Sequence, residues 1–191
     1  MTGEKLAKQW NKMFPDFPPV AAELKRFFNE RWFRIHTLPK SKRYAEDKSE
    51  YNEILNRHNV TLSDLFSAGH SYILLSEYGS ESKEPVTDKR IEKLNLQKNH
   101  CLSLPAGDDD SEHFYSHFYF DSKCWEENSL NDLFLLTADD EIRNIMLFSI
   151  ERSIVYHPYD GGADIFFKNS ELRDIYKGKY INWLSNHPSG L

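Results

Sequence analysis

Cysteine is scarce in this sequence, which holds only Cys101 and Cys124. A small secreted scaffold uses more of them, at regular spacing, so both are read as reduced and structural. Together with the two absences that follow, this leads us to expect a cytoplasmic chain. No run of about eighteen apolar residues occurs, which excludes a membrane-spanning helix. The first residues, MTGEKLAKQW, contain no apolar core of a signal peptide. The GxSxG elbow, the glycine-rich phosphate loop and GxGxxG are all missing, so the residues call for no cofactor. Positive charge is also in short supply. Twenty-four Lys and Arg face 30 Asp and Glu, a net charge of -6, which argues against a nucleic-acid binder.

The chain does have ample material for a core. It has 191 residues, the size of one domain spanning 1–191. Hydrophobic residues make up 39% and aromatic residues 14%, with Phe and Tyr predominating. Such content buries well without disulfides or metals.

Periodicity gives the elements. Leu6, Trp10 and Met13 predict a helix from Thr2, its cap, to Met13. Phe14 to Pro19 breaks it, and a second helix begins with Pro19 in its first turn and a stripe of Val20, Leu24, Phe27 and Phe28. Arg31–Thr37 alternates as a strand. Asp47 opens a helix ending near Asn59, and Thr61 caps a further short one. Ser71–Tyr78 reads as a strand and Gly79–Asp88 as a loop. Leu94–Leu104 is ambiguous between strand and other structure. His113–Phe120 alternates, with His113, Tyr115, His117 and Tyr119 on a solvent-facing row. Ser129 caps a helix through Leu136. Asn144–Ile150, Ile154–Tyr159 and Ala163–Lys168 form a three-stranded meander, turned at Asp160-Gly161-Gly162. Asn169 caps the last helix, whose buried stripe is Leu172, Ile175, Tyr176, Trp183 and Leu184. Helices at both ends and hairpins inside predict an α+β fold with a mainly antiparallel sheet.

Four groups of residues are candidates for chemistry. His157, Asp160 and Asp164 on the hairpin, with Arg34 and His36 nearby, form a candidate polar cluster. One reading makes His157 and an aspartate an acid/base pair of a hydrolase. The other has Asp160 shaping the turn and Asp164 bonding to backbone or to a base such as Arg34. Asp108, Asp109, Asp110, Glu112, Asp139, Asp140 and Glu141 form an acidic region suited to steering a basic partner. The basic turn Lys40 to Tyr44 has no glycines for a phosphate loop and is expected to pair with acids of the same domain. His113 and His117 share a face, but no further ligands follow at the spacing a zinc site needs, so no metal is expected.

The stretches Trp32 to Tyr44, Tyr156 to Asp164 (YHPYDGGAD) and Trp183-Leu184-Ser185 resemble a bacterial family of uncharacterised single-domain proteins. YHPYDGGAD is also similar to the YHxYDDRG-D hairpin of a wider group of bacterial domains of unknown function. Small domains of this kind look like immunity partners of toxins. The resemblance therefore implies a module that binds a cognate toxin and occludes its active surface. It supplies no catalytic residues.

Overall fold

The computed structural model describes residues 2–66, 70–87, 89–94, 100–105, 114–187 and 190. Helix α1 (Gly3–Met13) opens on Thr2, whose hydroxyl accepts the Lys5 amide, and buries Leu6, Trp10 and Met13. Helix α2 (Ala21–Phe27) follows the proline-rich break and buries Ala21 and Leu24. Its Phe27 is 48% exposed, so the expected stripe loses that ring to the surface.

Strand β1 (Trp32–His36) leads to α3 (Lys48–Phe66), one continuous helix where two were expected. Thr61 is the reason. Its hydroxyl donates to the Arg57 carbonyl four residues back, at 2.7 Å, so the residue continues the helix and caps nothing. Asn59 does not stop it either. Its side chain bonds Leu55 O, Asn131 Oδ1 and the Asn128 amide, all at 2.8 Å, and ties α3 to the start of α5 (Asn131–Ala138). That helix is preceded by Leu130 without a side-chain cap, so the expected role of Ser129 is not taken.

Strand β2 (His70–Ser80) runs into part of the expected loop. A short helix α4 (Lys89–Lys93) and strand β3 (His100–Pro105) follow, then β4 (Tyr115–Cys124). The meander β5 (Ile145–Ser149), β6 (Ile154–Tyr159) and β7 (Gly162–Phe166) precedes α6 (Ser170–Lys179). Asn169 caps α6 by accepting the Leu172 amide at 3.0 Å. Ile175 is 67% exposed, and Trp183 lies beyond the helix in a short 3-10 turn, so the expected stripe is narrower than drawn.

Among the described residues these seven strands form one antiparallel sheet, ordered β1-β7-β6-β5-β2-β4-β3. The fold is α+β, with helices at both ends of the chain. Alternation sorts the side chains to two faces. Phe33, Ile35, Leu75, Tyr119, Leu147, Tyr156 and Ile165 meet α3, α5 and the end of α6 in one core. Trp32, Leu74, Phe118, Phe148, Val155 and Phe166 meet α1 and α2 in the other.

The row on β4 is the clearest correction. His117 is wholly buried and Tyr119 almost so, where a solvent-facing row was expected. The segment after β2 folds over them. His117 Nε2 bonds Ser82 O at 3.0 Å, and the Tyr119 hydroxyl donates to Val86 O. His113 lies outside the described residues.

Candidate functional site

Strand register builds the hairpin site. His157 pairs with Asp164 across β6–β7, and Asp164 pairs with Arg34 across β7–β1. The three therefore form a row on one face of the sheet. Asp164 accepts Arg34 Nε and Nη2, each at 2.8 Å, and Trp32 Nε1 at 2.9 Å. The Arg34 guanidinium also lies over the Tyr159 ring, 4.4 Å from its centroid. Gly162 allows this closeness. A Cβ there would sit 2.0 Å from the Ile35 carbonyl oxygen and 3.0 Å from the Tyr159 hydroxyl.

His157 does not join an acid. Its Nδ1–H donates to the Ile145 carbonyl at 2.7 Å, and burial pulls its pKa below the ordinary value, which keeps the ring neutral. His36 is likewise buried, and burial holds its pKa down. Its Nε2 has no hydrogen-bond partner. Asp160 turns away from both histidines. It accepts Arg43 Nε at 2.7 Å and the Tyr44 hydroxyl at 2.8 Å, so the basic turn and the hairpin turn hold each other. Lys42 pairs with Glu50 at 2.6 Å and Glu46 at 3.1 Å. The structure thus brings Arg34, His157 and Asp164 together and places Asp160 in a separate pair. The acid/base reading of a hydrolase required a concave opening at these groups. Of two cavities formed by described residues, one is lined by Arg34, and His157, Asp160 and Asp164 are not among the described lining residues of either.

The acidic region divides. Asp108, Asp109, Asp110 and Glu112 lie outside the described residues. Asp139 accepts the Tyr51 hydroxyl at 2.6 Å, Asp140 pairs with Arg143, and Glu141 pairs with Lys93 at 2.6 Å. These three acids are each tied to a donor of the same chain. Among the described residues no cluster of His, Cys, Asp and Glu could hold a metal ion. No helix among them is long and apolar enough to cross a membrane.

Two features escaped sequence reasoning. One is a polar relay: Ser103 Oγ lies 2.9 Å from His100 Nε2 and 2.7 Å from His117 Nδ1. His117 Nε2–H donates to the Ser82 carbonyl, so Nδ1 accepts from the Ser103 hydroxyl. The other is a mainly apolar groove of about 1060 Å³ on the α1–α2 face, whose lining also includes Asp16, Glu23 and Arg26. Leu6, Trp10, Phe17 and Val20 line it from the helical side, with Leu102, Leu104 and Phe118 from the sheet. Phe27 and Tyr78 line it and stand 48% and 43% exposed. Exposed rings such as Phe27 and Tyr78 mark it from sequence only once the strands that face the helices are known.

Residues 20–188 match the family described as Domain of unknown function (DUF3885), and the chain belongs to that family. Helix α1 lies outside the matched region. No curated protein and no solved structure matches the chain.

Proposed function

We propose that this chain is a protein-binding module, in the form of a bacterial cytoplasmic immunity protein that occludes the active surface of a toxin. The apolar groove between α1, α2 and the β2–β4–β3 half of the sheet carries the proposal. A groove of about 1060 Å³ with two exposed aromatic rings at its margin matches the anatomy of a binding surface, where Tyr and Phe anchor and water is excluded. The hairpin, by contrast, holds its charges in bonds within the chain, which supports a structural role for it. The immunity form of the reading rests on the sequence resemblance and is an analogy at family level.

The test is capture of the tagged protein from its native cell, run in parallel with a Phe27→Glu variant. The expected result is a stoichiometric toxin-like partner that the wild type retains and the variant loses. A partner held equally by both proteins, or none held by either, removes the groove from the argument.

A further inference from the structure

We propose that the smaller cavity, beside the outer edge of β1, binds a small phosphate-bearing anion. It has a volume of about 310 Å³, at the lower end of ligand pockets. Trp32 and Arg34 of β1, Asn29 just before it, Arg173 and Lys177 of α6, and Ser185 line it. Three of these are cations, and none of the described lining residues is acidic. Two of the cations are paired with acids outside the lining, Arg34 with Asp164 and Arg173 with Asp174.

The cations keep donors in reserve. Asp164 occupies only Nε and Nη2 of Arg34, leaving Nη1. Arg173 Nη1 donates to the Trp32 carbonyl at 3.3 Å. Arg173 Nε forms an ion pair with Asp174 Oδ1 at 2.6 Å, which leaves Nη2. Lys177 is exposed, one helical turn beyond Arg173, and forms no ion pair with any described residue. A further cation stands close by, with Lys25 Nζ 4.5 Å over the Trp32 ring. Burial first, and then the charge of Arg34, lower the pKa of Lys25, with Asp164 opposing. The remaining N–H groups of the two guanidiniums and an ammonium suit a tetrahedral dianion with several oxygens. Asn29, Ser185 and the Trp32 indole leave room for a small organic group attached to it.

Equilibrium dialysis of the full chain against inorganic phosphate, at fixed ionic strength, tests the site. One phosphate should bind per chain, and Lys177→Gln should weaken binding about tenfold, as loss of one charge-assisted contact does. Lys177 is exposed, so the variant keeps its fold. Arg173→Gln should weaken binding further, provided its thermal unfolding shows that it folds. No binding at millimolar phosphate, or equal binding by wild type and Lys177→Gln, overturns the proposal. Tighter binding of glycerol 2-phosphate than of phosphate would assign the ligand as an ester, and equal binding would assign it as the free ion. The assay uses the isolated chain, so it fails or succeeds independently of partner capture through the groove.

Discussion

Arg34 and Asp164 lie opposite one another on β1 and β7 and join through two parallel hydrogen bonds, Nε to Oδ1 and Nη2 to Oδ2, each 2.8 Å. Their side chains are 18% and 7% exposed, so the pair is largely withdrawn from water. Removing one partner of such a pair leaves a charge without compensation. Asp164→Asn should therefore lower stability by about 3 kcal/mol in urea unfolding. Replacing both residues together, with Met and Leu, should cost less than Asp164→Asn alone. An Asp164→Asn protein with an unchanged midpoint would show the pair to be energetically idle.

Two glycines should respond in opposite directions. Gly162→Ala places a Cβ 2.0 Å from the Ile35 carbonyl oxygen, a backbone atom held in the β1–β7 ladder. It should destabilise by about 3 kcal/mol, because the strands must separate. Gly178→Ala meets nothing within 4 Å and lies inside α6. It should stabilise by about 0.5–1 kcal/mol through helix propensity. Thermal unfolding of both variants checks the contrast, and similar effects would contradict it.

Acid should weaken the fold well above the carboxylate range. His58 is fully buried on Phe134, with its Nδ1 2.5 Å from the Tyr156 hydroxyl, and burial lowers its pKa from 6.5 to about 3. The unfolded chain then binds a proton that the folded chain refuses. The penalty is absent above pH 6.5, grows as pH falls below it and levels off near pH 3. Stability should drop by about 1.4 kcal/mol per pH unit inside this window from His58 alone. His36, His100 and His157, lowered in the same direction, add to it. Urea unfolding at pH 7 and pH 5 measures the slope, and His58→Gln should flatten it. A flat profile would mean that His58 takes up its proton in the folded state.

The two acidic groups should behave differently once a partner is in hand. Asp139, Asp140 and Glu141 each have a donor within the chain, so neutralising them should leave association nearly unchanged. Neutralising Asp108, Asp109, Asp110 and Glu112 should slow association and flatten its salt dependence. Association rates at low salt and at physiological salt separate the cases. An unchanged rate for the second set would leave the groove as the sole recognition surface.

The sequence displays what is local. The meander from Ile145 to Phe166 alternates within a short window, and Asp160-Gly161-Gly162 marks its turn, so both are readable directly. Thr2 and Asn169 signal helix starts because an N-cap acts within three residues. Thr61 misleads for the same reason. A threonine looks identical in sequence whether its hydroxyl caps the next turn or bonds the previous one, and only burial decides. The buried state of His117 and Tyr119 depends on carbonyls of Ser82 and Val86, far from any pattern on β4. The polar cluster was half legible. Arg34, His157 and Asp164 do meet, but Asp160 binds Arg43 and Tyr44 across more than a hundred residues. The groove and the cationic cavity lie between elements whose order in the sheet no window of sequence contains.

That order has a kinetic consequence. Strand β2 is the sole link between β5 and β4, pairing Tyr72 with Phe148 on one side and Leu74 with Phe120 on the other. The hairpins β3–β4 and β5–β6–β7 each assemble from near neighbours in the chain. Neither reaches the other until an early strand is inserted between them, closing a loop of about 75 residues on the β5 side. Loop closure of this length precedes its reward, so insertion of β2 should be a slow step in joining the two halves of the sheet. Substitutions at Tyr72 to Leu75 should then slow refolding, while equally costly ones in the β6–β7 hairpin should mainly speed unfolding.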